Sequence, residues 1–343
     1  MLADFFDKNG FLTALAPMQD ITDAGFFARI AECGAPDFFV SEFLRVTPTS
    51  KLDPKILNAV LSKPAGKDVA AQIIGCSIPD IERIVNDYAK YPQIDCLDLN
   101  AGCPAPKVYK KNVGGSLLKE PREIAEILRC MRKNWSKTLS LKMRIGFEND
   151  KNFYEILRVA EGEGVDFITI HARTVKQLYR GVADHSYTKK AVEFLKIPVI
   201  ANGDITSAQK AIEVLSYTNA RGVMVGRSSV RNPWIFRQIS EALCGREIYK
   251  PTLGDVLRYV YGLLNDNLKT CRECKLSGRM KKFLNFVAVG VDKDGNFLNE
   301  MRKACSTDEL MKVCEKHLGG ENSEKLFAFE PYPGLCSRPN HES

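Results

Sequence analysis

Phe167-Ile168-Thr169-Ile170-His171, Val199-Ile200-Ala201-Asn202-Gly203-Asp204 and Gly222-Val223-Met224-Val225-Gly226-Arg227 are the stretches that decide the fold. Each is a short, mostly apolar run that closes on polar residues or glycine. Continuous rather than alternating apolarity is how a strand buried on both faces of a parallel sheet reads. Working outward, the same pattern recurs at Leu12 to Ala16, Phe38 to Glu42, Val69 to Ile74, Cys96 to Asn100 and Leu139 to Arg144, which makes eight strands in all. Amphipathic segments of helical length lie between them, among them Asp80 to Tyr88, Pro121 to Lys133, Phe153 to Glu163 and Ala208 to Leu215. Eight βα units in succession predict a (β/α)₈ barrel, and polar residues gathered at the strands' C-terminal ends mark its catalytic rim. A doubly wound open sheet would instead need its phosphate-binding glycines after one early strand.

The 343 residues and formal net charge of +7 suit one large domain with a smaller one beside it, and they permit a polyanionic partner without requiring one. No run approaches the ~18 apolar residues of a membrane span, and Met1 to Gly10 has no basic segment followed by an apolar one. A cytoplasmic protein is therefore expected. Eleven cysteines, an odd number, fit reduced thiols better than a disulfide framework.

Past Arg227 the periodicity changes. Asn232 to Leu243 reads as the last barrel helix, with Asn232 as N-cap and Pro233 in the first helical position. A linker near Gly245 to Pro251 follows, then a helical pattern from Thr252 to Leu318, interrupted only by the ambiguous run Phe286 to Val291. The expected division is a barrel over 1–245, a small all-α domain over 246–328 and a loose tail over 329–343. Lys269, Arg272, Lys275, Arg279, Lys281 and Lys282 fall in a stretch whose only acid is Glu273, so a phosphate-binding face is expected there.

Chemistry concentrates on the rim. Leu99-Asn100-Ala101-Gly102-Cys103-Pro104 ends the fourth strand with a thiol, followed by the basic loop Lys107 to Gly115. A thiol near its ordinary pKa of about 8.5 is mostly protonated at neutral pH, so it can serve as a general acid. Lys142 puts an ammonium among apolar neighbours, which is costly without an anion nearby. Asn202 to Asp204 and Gly226-Arg227 end the last two strands, where barrels build phosphate sites from glycine N–H groups. The four histidines lack metal spacing, and Cys271-x-x-Cys274 has no second CxxC, so no metal is expected.

Taken together, Ala16-Pro17-Met18, Gln72, Leu99 to Pro104 with Gly114-Gly115, Lys142-Met143-Arg144, His171-Ala172-Arg173-Thr174, Asn202 to Ile205 and Gly226-Arg227 resemble the dihydrouridine synthase family, most of all its bacterial members. The resemblance spans nearly the whole chain. It implies an FMN enzyme, driven by NADPH, that reduces uridines of tRNA to dihydrouridine. By position it implies that Pro17, Met18, Gln72, Lys142, His171, Asn202, Gly203, Asp204, Gly226 and Arg227 contact FMN, that Asn100 lies near the uracil and that Cys103 is the acid. Arg144, Arg173, Lys275, Arg279 and Lys282 are expected to contact the tRNA. Ala172 is a small departure, since related sequences often have glycine there. No obligatory protein partner is expected.

Two other classes share some of these features. An FMN barrel acting on a free pyrimidine such as dihydroorotate would share the phosphate loops and even a rim cysteine, but has no use for a helical domain. A non-catalytic RNA-binding barrel would have no need of Cys103, Lys142 and the phosphate loops together.

Overall fold

The computed structural model describes residues 10–330. They form two compact units. The first comprises the residues up to Ala24, Pro36–Ile205 and Lys210–Gly226, and the second Gly25–Ala35, Thr206–Gln209 and everything from Arg227 on.

In chain order the elements up to the last strand are β1 (Leu12–Leu15), α1 (Ala24–Gly34), β2 (Phe38–Val40), β3 (Leu44–Arg45), α2 (Pro54–Leu61), β4 (Asp68–Ile74), α3 (Ile78–Ala89), β5 (Cys96–Ala101), α4 (Pro106–Tyr109), α5 (Pro121–Asn134), β6 (Thr138–Arg144), α6 (Phe153–Gly162), β7 (Phe167–His171), α7 (Ser186–Phe194), β8 (Val199–Asn202), α8 (Ala208–Thr218) and β9 (Gly222–Val225). Every strand pairing is parallel, and β1 pairs with both β2 and β9, so the sheet closes into an eight-stave barrel. The eight expected strands are all present. One stave is split: β2 and β3 both pair with β4, and the chain between them leaves the ladder. There the Ser41 hydroxyl accepts from the amide of Gln72 at 3.2 Å, replacing a backbone acceptor.

The helices follow from their periodicity. In α3, Ile81, Ile84, Val85 and Tyr88 are buried, and in α5, Ile124, Ile127, Leu128 and Met131. That spacing lays one apolar stripe along each helix. Each such side chain contributes on the order of 1.5–3 kcal/mol by leaving water. Proline near the N-terminus of both helices removes an amide that would have had no partner in the first turn.

Alternate residues of each strand point into the barrel. At one level they are apolar: Ala14, Phe38, Ala70, Cys96, Phe167, Ile200 and Met224 pack together, with Phe38 and Phe167 edge to face at 5.7 Å. Two residues further along several strands the same face turns polar. Gln72, Asp98 and Ser140 stand in register across β4, β5 and β6, and Asn100, Lys142 and Thr169 across β5, β6 and β7. The barrel is thus dry and packed at one end and lined with hydrogen-bonding groups at the other.

The second unit is helical. It adds α9 (Arg227–Arg231), α10 (Ile235–Leu243), α11 (Leu253–Thr270), α12 (Glu273–Val287), α13 (Asn296–Lys303) and α14 (Thr307–Leu318). The expected cap at Asn232 is corrected here. The helix starts at Ile235 after Trp234, and Asn232 is buried with its side-chain amide donating to Gln238 Oε1 at 2.6 Å. An Asn-Pro pair reads as a helix start, but the short α9 occupies the preceding turn and leaves Asn232-Pro233 as the link. The ambiguous run Phe286 to Val291 completes α12 and a single 3₁₀ turn, because Val287 and Ala288 are buried on the same apolar stripe as Phe283 and Leu284. Helix α11 opens on a reciprocal capping box between Thr252 and Asp255, and Arg29 pairs with Asp266 at 2.7 Å. Arg231, 3% exposed, donates to the carbonyls of Ala328, Phe329 and Glu330. From residue 331 on, the expected tail lies outside the described residues, as does most of the expected leaderless N-terminus. Among the described residues no helix is long and apolar enough to cross a membrane.

Candidate active site

Cys103 sits just past β5, half-buried, on a loop that Asn100 organises. Asn100 Oδ1 accepts from the amides of Gly102 at 3.1 Å and Cys103 at 2.9 Å, which turns the chain sharply off the strand. Gly115 closes the turn from the other side: its N–H donates to the Cys103 carbonyl, and a Cβ there would stand 2.5 Å from Val175 Cγ2 and 2.9 Å from that carbonyl oxygen. No larger residue fits. Burial pushes the Cys103 thiol up, against the lowering effect of the Ala105 amide and the charges of Arg144 and Lys142. The group is therefore a thiol, not a thiolate, at neutral pH.

Lys142, on the neighbouring strand, is in register with Asn100. Its ammonium donates to the neutral Oδ1 of Asn202 at 3.1 Å, and Asn202 in turn donates to the carbonyl of Met224 at 2.8 Å. Desolvation and the charge of Arg144 push its pKa down to about 8, although Asp98 and Cys103 oppose that shift. Gln72 is fully buried and bridges Asp98 and Asn100.

The loop after β8 holds its shape through Gly203, at φ +113, and Asp204, at φ +49. Asp204 Oδ2 accepts from Arg173 at 2.7 Å and from the Ala183 amide at 2.8 Å, while its Oδ1 is buried without a partner. A Cβ at Gly226 would meet nothing closer than Ala16 Cβ at 3.7 Å, an ordinary contact. Pro17 and Met18 are half-buried just past β1, and His171 is 9% exposed at the end of β7.

Of the residues expected at the rim, the first unit therefore holds Pro17, Met18, Gln72, Asn100, Cys103, Lys142, Arg144, His171, Arg173, Asn202, Gly203, Asp204 and Gly226. Arg227 opens α9 in the second unit. The two rim arginines, expected to contact tRNA, are almost wholly buried, at 1% and 2% exposure. Arg144 donates to the carbonyls of Thr174 and Leu178, and Arg173 to those of Arg180 and Gly181. Both hold the loop after β7, and Tyr179 on that loop lies over the Arg144 guanidinium at 5.4 Å.

The helical cations divide likewise. Lys269, Arg272, Lys275 and Lys282 are exposed. Lys281 donates to the carbonyls of Arg302 and Ala304 at the end of α13, and Arg279 donates to Asn267 and lies over the Phe283 ring at 4.9 Å.

Three members of the site escape a reading of the sequence. Asp98 and Ser140 face each other at 2.6 Å inside the barrel. The signal for Asp98 was one acid inside an apolar strand. The third is His185, whose Nε2 donates to the Gly203 carbonyl at 2.8 Å and whose Nδ1 faces Thr188 Oγ1 at 3.2 Å. Burial lowers its pKa, so it is neutral and supports the Gly203 turn. Nothing in its sequence context sets it apart.

A family model for dihydrouridine synthase (Dus) matches residues 14–318. The tRNA-dihydrouridine synthase B of Pasteurella multocida (strain Pm70) is 38% identical over 245 residues, covering 70% of this chain and 73% of that protein. That of Serratia marcescens is 36% identical over 255 residues, covering 73% and 75%. A probable tRNA-dihydrouridine synthase of Rickettsia conorii (strain ATCC VR-613 / Malish 7) is 34% identical over 253 residues, covering 72% and 75%. Among solved structures, a variant of NCR from Zymomonas mobilis has a TM-score of 0.52 at 13% identity, covering 73% of this chain and 94% of that one. Likeness at that identity bears on the barrel alone. The family match runs from the first barrel strand to the last helix of the second unit, and with it the chain belongs to the dihydrouridine synthase family.

Proposed function

We propose that this chain is a tRNA-dihydrouridine synthase of the cytoplasm, which reduces the C5=C6 bond of a uridine in tRNA with FMN as cofactor, NADPH as reductant and Cys103 as proton donor. The observation that carries the reading is geometric: the Cys103 turn is pinned on Asn100, which stands in register with Lys142 at the polar end of the barrel. The side chains present fit a flavin. Lys142 is a cation whose hydrogen-bond partner is a neutral amide, the buried Asp204 Oδ1 lacks a donor, and no side chain crowds the Cβ position of Gly226.

Pro17, Met18, Lys142, His171, Asn202, Gly203, Asp204 and Gly226 would hold the cofactor, while Gln72, whose carboxamide is taken by Asp98 and Asn100, would support the site from inside the barrel. Bound there, FMN supplies the hydride, taken from NADPH, that goes to C6 of uracil. Lys142 would stabilise negative charge on the reduced cofactor, and without reorganising, since its ammonium is already fixed by Asn202. Asn100 would lie near the pyrimidine, with its carboxamide engaged by Gln72 and by the Gly102 and Cys103 amides. Cys103 delivers the Sγ proton to C5. A uridine reaches this depth only by leaving its stack.

The direct test is chemical. Purified protein should carry non-covalent FMN released on denaturation, and with NADPH it should form dihydrouridine in tRNA taken from cells lacking it. Flavin reoxidised by a free pyrimidine and not by tRNA would move the substrate to a small molecule. Protein that is folded but neither holds nor gains flavin would remove the cofactor assignment.

Lys269, Arg272, Lys275 and Lys282 of the second unit supply the phosphate contacts in this reading, with Arg279 holding Asn267. Each neutralised phosphate releases counterions, so tRNA affinity should fall steeply with salt. Replacing these four by glutamine should flatten the dependence by about 0.9 for each phosphate no longer neutralised, if the bound RNA is helical. An unchanged slope would move the RNA surface elsewhere.

A further inference from the structure

Inside the barrel, four side chains form one continuous run of hydrogen bonds ending at the Cys103 turn. Ser140 Oγ donates to Asp98 Oδ1 at 2.6 Å, and Gln72 Nε2 donates to Asp98 Oδ2 at 2.7 Å. Asn100 Nδ2 donates to Gln72 Oε1 at 2.8 Å, and the amides of Gly102 and Cys103 donate to Asn100 Oδ1. Asp98, Gln72 and Ser140 are at most 3% exposed and Asn100 is 7% exposed, so water has little access to repair a break.

Each carboxamide has a donor end and an acceptor end, so the run has a direction. At the Cys103 end two backbone N–H groups demand an acceptor, which fixes Asn100 with Oδ1 outward. Its NH₂ must then face Gln72 Oε1, and Gln72 must turn its own NH₂ inward. That last donor is satisfied only by a group that accepts. An ionised carboxylate is acceptor-only, so Asp98 permits a single arrangement of both amides. Burial raises the Asp98 pKa to about 6, with Ser140, Gln72 and the charge of Lys142 acting against the rise, so the group is still ionised at neutral pH.

We propose that Asp98 is a positioning residue which, acting through Gln72, holds the Asn100 carboxamide fast from its inner end and thereby keeps the Cys103 thiol in place. The consequence for catalysis rests on the function proposed above. The geometric part does not. The backbone N–H groups pin the run at one end and the acceptor-only carboxylate pins it at the other. An amide in place of the carboxylate can offer Gln72 either its oxygen or its NH₂, because Ser140 Oγ can accept as well as donate, so the Asn100 carboxamide is then held from the Cys103 end alone. A displacement of about 1 Å at a reacting group costs up to about 100-fold in rate.

The test compares wild type, Asp98→Asn and the double variant Gln72→Glu/Asp98→Asn. The double variant moves the carboxylate one step along the run. The glutamate introduced at position 72 accepts both from the amide introduced at position 98 and from Asn100, so Asn100 is again held from its inner end. Two readouts are taken, the alkylation rate of Cys103 by N-ethylmaleimide, followed by peptide mass spectrometry, and the reoxidation of reduced flavin by tRNA. The expected result is an altered alkylation rate and a roughly ten- to 100-fold slower reoxidation in Asp98→Asn, with NADPH-driven reduction unchanged, and recovery of the alkylation rate in the double variant. Wild-type alkylation in Asp98→Asn, or equal departure of both variants from wild type, overturns the proposal. Should wild type itself fail to react with tRNA, the alkylation arm still decides the positioning role, and only the proposed function falls. If Asp98→Asn fails to fold, the double variant decides it: a wild-type alkylation rate supports the directional run, and an altered one overturns it.

Discussion

Replacing Cys103 by alanine is expected to slow reoxidation of the reduced flavin by tRNA by about 10²- to 10⁴-fold, the usual worth of a general acid, while reduction by NADPH keeps its wild-type rate. In the proposed mechanism the split follows from where the thiol acts. Its proton is needed only after hydride has reached the pyrimidine, and a thiol held protonated by burial has no part in the first half-reaction. Packing gives a different signature. Cys103 is only half-buried, so its truncation leaves a small void and a loss of stability with normal turnover if it merely fills space. Stopped-flow measurement of the two half-reactions separates these outcomes, and wild-type reoxidation in Cys103→Ala would exclude the thiol as acid.

Arg173→Met should cost about 3–5 kcal/mol of stability, the usual loss when one member of a buried ion pair is removed. Arg173 is 2% exposed, and its removal leaves Asp204 with the single N–H of Ala183 and one oxygen already without a partner. The carbonyls of Arg180 and Gly181 lose their donor as well. Adding Asp204→Asn should recover part of the loss, because no unpaired charge then stays behind. Urea unfolding of the single and double variants measures both effects. A single variant within about 0.5 kcal/mol of wild type, the range of surface substitutions, would mean that the loop after β7 does not depend on this pair.

The staves were legible because strands covered on both faces are mostly apolar without alternation, as Val199 to Ala201 is. Glycines and polar residues gathered at their C-terminal ends gave away the rim. What the sequence concealed is set by closure. Asp98 in an apolar strand reads alike whether it faces in or out, and only the register of β4, β5 and β6 puts it between Gln72 and Ser140. Arg144 and Arg173 read as charges waiting for a polyanion, yet both guanidinium groups are occupied by carbonyls of one loop, 34 positions downstream for Arg144 and 8 for Arg173. A long side chain's reach cannot be read from spacing. The cap at Asn232 failed on a local ambiguity, since Asn-Pro serves equally well as a helix start and as the joint between two short helices.

The pairing of Leu12–Leu15 with Gly222–Val225 bears on how the chain comes to be folded at all. A growing polypeptide emerges from its N-terminus, so β1 is available long before the strand that must lie against it exists. Until β9 arrives, the sheet has two open margins, each with unsatisfied N–H and C=O groups able to recruit a second copy of the chain. Contacts of such long sequence separation also form slowly. The vulnerable period in the life of this protein is therefore its synthesis, and substitutions that weaken β9 should appear first as poor yield and aggregation and only afterwards as a lower melting temperature.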